Sequence, residues 1–216
     1  KVLKDAVLAA EDARFYEHGG VDYKGILRAA LANLRDARSQ GGSTITMQVA
    51  KNFYLPTEKT YTRKIYELLL TLKIEKLLTK EQILELYMNQ IFLGQRAYGF
   101  AAASEIYFGK PVKDLNVAEA AMLAGLPVAP SAYNPIVNPK RATVRQQFIL
   151  SRMLEEDFIT PEQYDVARAQ VLRYRTPSEM PVHAEYAVET ARQLVFAHYG
   201  AEAYSRGHTS ELQSLT

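Results

Sequence analysis

Residues 11–22 read EDARFYEHGGVD and residues 41–52 read GGSTITMQVAKN. The first stretch closes a helical pattern. Val2, Leu3, Ala6, Val7, Ala9 and Ala10 recur at nearly helical spacing, which predicts a helix from Val2 to Arg14. The paired glycines then release the chain into a turn, and Asp22 can cap a second helix from Tyr23 to about Asp36. The second stretch opens a third helix, capped by Ser43 or Thr44 and running to about Tyr54, where Pro56 stops it. Working outward, Thr79 with Gln82 and Asn116 with Glu119 have capping-box spacing. Asn138-Pro139 and Thr160-Pro161 put a cap residue before proline at the first helical position. No alternating segment exceeds about five residues, so the expected fold class is mainly α, with about ten helices and no internal repeat.

A chain of 216 residues suits one large domain or two small lobes. With 48% hydrophobic and 23% charged residues it has globular rather than disordered composition. A net charge of +2 provides no field for nucleic acid, so no nucleic-acid partner is expected. The absence of cysteine excludes disulfides, thiolate nucleophiles and cysteine-ligated zinc. The richest apolar run, AAMLAGLPVAP (120–130), contains two prolines and falls short of the roughly 18 residues of a membrane-spanning helix. The chain opens on KVLKDAVLAAED without an initiator Met or a signal peptide, and is expected to be a domain excised from a longer, anchored protein. LRYRTPSEMPV (172–182) reads as a connector, followed by a helix from about His183 to Tyr199 and a polar tail.

Three groups of residues could carry chemistry. Glu11 lies near the end of the first helix beside Asp12, Phe15, Tyr16 and His18. A carboxylate desolvated by aromatics is a better proton acceptor, yet spacing alone favours a solvated helix-end Glu paired with Arg14 or Lys4. His18 by itself reads as a hydrogen-bonded structural residue. In RKIYELLLTLKIEK (63–76), Arg63, Lys64, Glu67, Thr71 and Glu75 share one helical face and Ile65, Leu68, Leu69 and Leu72 the opposite one. A salt-bridged surface stripe explains that pattern; so does an anion site in which Glu67 orients two cations. In the third group, Gly41 and Gly42 precede a helix whose free N–H groups suit an anion. Thr44, Gln48 and Lys51 share one face of that helix, and a simple N-cap does not require the last two.

In order along the chain, these segments resemble the five motif regions of the peptidoglycan glycosyltransferase family (glycosyltransferase family 51), the transglycosylase domain of class A penicillin-binding proteins and monofunctional transglycosylases. The first is carried by Glu11, Asp12, Phe15, His18, Gly20 and Asp22, and the second by Gly42, Ser43, Thr44, Ile45, Gln48, Lys51 and Asn52. Arg63, Lys64 and Glu67 followed by Glu75 form the third, and Ile83, Leu84, Tyr87, Asn89 and Gly94 the fourth. The Pro127 to Pro135 loop with Arg141 and Arg145 forms the fifth, so the match covers roughly residues 1–155. Met47 stands where many relatives carry a second glutamine, and Thr71 where many carry alanine.

The resemblance implies a lysozyme-like large lobe and a smaller membrane-facing lobe at about residues 23–60. Residues 1–175 would form the glycosyltransferase domain, and 176–216 a connector helix and tail towards a second domain. It further implies polymerisation of lipid II into β-1,4-linked glycan strands, with inversion and release of polyprenyl pyrophosphate, on the outer face of the bacterial cytoplasmic membrane. Glu11 would be the catalytic base and Glu67 would hold Arg63 and Lys64, or a divalent cation such as magnesium or manganese; no cofactor is otherwise implied. Asp12, His18, Ser43, Thr44, Gln48, Lys51, Asn52, Arg63, Lys64 and Arg145 would bind substrate. The implied partners are lipid II, a lipid-linked glycan strand, the membrane surface through Phe53, Tyr54 and Leu55, and a transpeptidase domain in the parent chain. A glycan-cutting hydrolase would also need a Glu acid, but not the basic cluster around Glu67.

Overall fold

A computed structural model describes residues 1–25, 42–54 and 61–175. The second helix beyond residue 25, Leu55 and the whole segment after residue 175 lie outside the described residues. The chain divides into a compact unit, Lys1–Pro177, and a second unit, Ser178–Thr216. Every described residue belongs to the first unit.

Eight α-helices and one 3-10 turn are described, and the only β pairing among these residues is a single bridge, Phe92 to Tyr98. The helices are α1 (Val2–Glu11), α2 (Ile45–Tyr54), α3 (Tyr61–Leu77), α4 (Lys80–Gln90), α5 (Phe100–Phe108), α6 (Val117–Ala124), α7 (Pro139–Glu155) and α8 (Pro161–Ala169). The mainly α fold expected from the sequence is the fold observed.

At the centre lies α6. Its sequence VAEAAMLA is apolar all round, and every residue from Ala118 to Ala124 is buried. Alanines let α1, α7 and α8 approach closely. The run too short to span a membrane is therefore the middle of the core. Glu119 is buried there without penalty, because it accepts from the Asn116 N–H and from Lys110 Nζ at 2.7 Å. A second layer is formed by α2 packed between α3 and α4. α4 and α5 connect it to the central group.

The capping boxes at Thr79/Gln82, Asn116/Glu119 and Thr160/Gln163 all form. Asn138 does not cap α7 with its side chain; its amide instead donates to the Ser131 carbonyl at 3.2 Å, tying the proline-rich loop to the helix. Two expectations are corrected. α1 ends at Glu11 rather than Arg14, because Asp12 leaves helical geometry (φ −163°) to use its carboxylate elsewhere. α3 is turned inside out: Glu67 and Thr71 are buried, whereas Ile65, Leu69 and Leu72 are exposed. Its polar stripe is the packed side, since polar partners await it on α2 and α4.

Gly99 shows how tightly the α4–α5 connection is made. At φ 79° and ψ 156° it occupies a region open essentially to glycine, and a Cβ there would sit 2.4 Å from the Asn89 carbonyl oxygen. Gly99→Ala should lower stability by about 3 kcal/mol in urea denaturation. An unchanged midpoint would contradict this backbone geometry.

Candidate active site

The site begins where α1 stops. Asp12 is buried and divides its carboxylate: Oδ2 accepts from the Ile45 N–H at 3.1 Å, and Oδ1 meets His18 Nε2 at 2.9 Å. His18 Nδ1 accepts from the Gly20 N–H at 3.2 Å, so the ring carries its proton on Nε2 and donates to Asp12. Thr44 caps α2, accepting from the Met47 N–H at 3.2 Å and donating to the Gly20 carbonyl at 2.6 Å. Asp12, His18 and Thr44 thus clamp the 12–22 loop to the start of α2. Gly20, at φ +92°, rests directly on α3, where a Cβ would lie 2.7 Å from Thr71 Cγ2.

This clamp places Glu11 opposite one face of α2. Gln48 Nε2 donates to Glu11 Oε2 at 2.6 Å, while Glu11 Oε1 is buried with no protein partner. Tyr87 on α4 donates its hydroxyl to Gln48 Oε1 at 3.4 Å, which fixes the amide with its nitrogen towards Glu11. Burial pushes the Glu11 carboxyl above its ordinary value of 4.5; Gln48, Arg145 and Lys51 pull it down, and the neighbouring Asp12 adds to the rise. Burial, then the charge of Glu11, holds the Tyr87 phenol well above 10.0, so it remains a neutral donor.

Arg145, from α7, stacks on Phe148 (5.1 Å) and Tyr133 (5.8 Å). Its stem crosses Gly125, where a Cβ would approach Arg145 Cγ to 3.0 Å. α7 packs on α1 and the Arg145 charge acts on Glu11, so the fifth motif meets the first.

A second group lies on α3. Glu67, 2% exposed, receives Lys64 Nζ at 2.5 Å and Arg63 Nη1 at 3.6 Å. A buried carboxylate held between two cations acts as their anchor. α2 packs against α3 on one side and offers Gln48 to Glu11 on another, so this helix joins the two groups. Ser43 is half-buried just ahead of the cap, and Lys51 and Asn52 are exposed at the far end of α2. Two surface cavities, of about 280 and 350 Å³, are lined by none of the candidate residues. Among the described residues no cluster of three or more His, Asp or Glu could hold a metal ion, and Glu67 already serves Lys64 and Arg63.

Sequence reasoning placed Tyr87 in the fourth motif without a role and missed its hydroxyl contact with Gln48; that motif membership was the available signal. It also gave no role to Thr46.

The family model for Transglycosylase matches residues 1–154. The chain belongs to this transglycosylase family. The transglycosylase domain is 58% identical over 209 residues to penicillin-binding protein 1A of Neisseria meningitidis serogroup A, covering 96% of this chain and 26% of that protein. It is 62% identical over 173 residues to a provisionally named transglycosylase of Cupriavidus necator, covering 80% of this chain and 75% of that one. Among solved structures, penicillin-binding protein 1A from Haemophilus influenzae matches with a TM-score of 0.47 and 37% identity, over 73% of this chain and 20% of that one. The transglycosylase domain thus spans about a quarter (26%) of the Neisseria relative's length.

The raised carboxyl has a consequence for stability. Below its unfolded value Glu11 is protonated in both states; as pH rises past 4.5 the folded domain must ionise a group it prefers neutral, and stability is lost. Glu11→Gln should therefore raise the Tm at neutral pH, with the gain vanishing below pH 4.5. A gain that persists in acid would show that charge is not its origin.

Proposed function

We propose that this transglycosylase domain polymerises lipid II into β-1,4-linked glycan strands, with inversion and release of polyprenyl pyrophosphate. The observation that carries the assignment is the desolvated Glu11 carboxylate, with one oxygen held by Gln48 and the other without a protein partner. In the reaction Glu11 takes the proton from the 4-hydroxyl of the incoming lipid II. The hydroxyl oxygen attacks C1 of the donor sugar from the face opposite the pyrophosphate, the C1–O bond breaks, and its electron pair leaves with the phosphate. Displacement of this kind needs one base and cations for the departing charge, not a second carboxylate nucleophile.

Arg145 and Lys51, near enough to lower the Glu11 pKa, serve the charge that develops beside the base. Arg63 and Lys64, anchored by Glu67, receive the pyrophosphate, and side chains rather than a resident metal neutralise it. Ser43, Gln48 and Asn52 line the path of sugar and phosphate oxygens along α2. Asp12, His18 and Thr44 act on substrate through the loop they hold.

No described helix is long and apolar enough to cross a membrane. The exposed apolar side of α3 fits a lipid surface instead. Ile65 (61% exposed), Leu69 (58%) and Leu72 (40%) lie among the exposed Lys64, Lys73 and Lys76, a pattern suited to the headgroup boundary of anionic lipid. The domain would work at the outer face of the bacterial cytoplasmic membrane, anchored by a preceding segment of a parent chain that also carries a transpeptidase domain.

Incubation with purified lipid II should lengthen glycan, and incubation with cell-wall glycan should not shorten it; the reverse result would identify a hydrolase. Glu11→Gln should reduce polymerisation by about 10²–10⁴ without loss of fold, and Lys64→Ala by about 10²–10³. The acid limb of kcat/KM should lie above pH 4.5. Replacing Ile65, Leu69 and Leu72 together by serine should weaken sedimentation with anionic vesicles about tenfold; unchanged binding would remove α3 from the membrane contact.

A further inference from the structure

We infer that Glu75 is a positioning residue for the base: through Thr46 it sets the rotation of α2 and thereby the aim of Gln48 at Glu11. This role presupposes the transferase activity proposed above. Glu75, near the end of α3, accepts on Oε1 from the Thr46 hydroxyl at 2.5 Å and from Lys80 Nζ at 2.8 Å. Lys80 in turn lies 4.4 Å over the ring of buried Phe15. A Cβ on Gly20 would lie 2.8 Å from Glu75 Cγ. One side chain therefore gathers α2 and the start of α4 through its carboxylate, and its stem lies against the loop that follows Glu11.

Its leverage comes from helical geometry. Thr46 and Gln48 are two residues apart, hence about 200° apart around the axis of α2. Pinning Thr46 on the α3 side therefore fixes where Gln48 points on the other. At a side-chain radius of about 6 Å, a rotation of about 10° would carry the Gln48 amide about 1 Å. That is enough to spoil a contact of 2.6 Å. The other holds on α2, Thr44 and Asp12, act at its first turn. Thr46 lies in the same turn and adds to them a side-chain hold on the α3 side. Thr46 is completely buried, so its hydroxyl has no solvent alternative to Glu75.

Glu11 faces Asp12 from its own segment, Gln48 and Lys51 from α2, Tyr87 from α4 and Arg145 from α7. Losing the Gln48 donor removes one of the influences that hold the carboxyl down and leaves burial less opposed.

The test compares Thr46→Val, Thr46→Ser, Glu75→Gln and Glu75→Leu with the unaltered domain in a lipid II polymerisation assay across pH. Thr46→Val keeps the shape and removes the donor. It should lower kcat about 10²-fold, leave KM for lipid II little changed, and move the acid limb to higher pH. Thr46→Ser, which retains the hydroxyl, should restore most of kcat and return the limb; Glu75→Gln, whose Oε1 still accepts from Thr46, should stay near the unaltered domain, and Glu75→Leu, which has no acceptor, should follow Thr46→Val. Circular dichroism and Tm establish that each variant is folded. An acid limb that stays in place in folded Thr46→Val, or equal losses in the Val and Ser variants, would overturn the positioning role. A wild-type domain that does not polymerise lipid II would instead overturn the activity itself.

Discussion

Asp12 is the residue on which the arrangement turns. Its carboxylate ends α1, satisfies the first N–H of α2 and holds His18, all within one buried group. Negative charge at a helix N-terminus is favourable, and a buried carboxylate is tolerated only when its oxygens are occupied. Both conditions are met only if the chain breaks at Asp12 and returns to the start of α2. Glu11, one residue earlier, is left at the last turn of a rigid helix, facing a second helix whose start its neighbour has fixed.

The rest of the site extends that constraint. α2 carries Gln48 to Glu11, α4 supplies Tyr87 to orient Gln48, and α7 reaches in with Arg145. These helices enclose a Glu11 carboxylate that is desolvated yet surrounded by donors and cations. Such an environment raises proton affinity without neutralising the group's purpose. The cations of α3 lie one helix away, held by a carboxylate that water hardly reaches.

Much of this was legible in the sequence where the physics is local. The capping boxes at Thr79 and Asn116, the cap residue at Thr160 and the cap at Thr44, one of the two residues offered, depend on neighbours a few residues away. Family 51 membership was legible in the order of the motifs, and the family match agrees. What depends on distant partners was not. The helical wheel of α3 separated its two faces correctly but could not say which one packs, because the partners of Glu75 and Thr71 come from residues 20, 46 and 80. Tyr87 had a place in the fourth motif but no role, because its ring is core and only the tip of the side chain is polar and engaged. Asn138 looked like a cap because the sequence does not reveal the competing carbonyl of Ser131.

The alanine-lined centre has a bearing on mutational tolerance. Ala118, Ala120, Ala121 and Ala124 are fully enclosed, with α1 resting on their helix. Added methylenes in such an interior force neighbouring backbones apart. Because Glu11 rides on the last turn of α1, a bulky side chain introduced there would be transmitted as a shift of the Glu11 carboxylate itself. The domain's least reactive residues are thus mechanically connected to Glu11, and sequence drift in the core is limited by the geometry around that carboxylate as well as by folding.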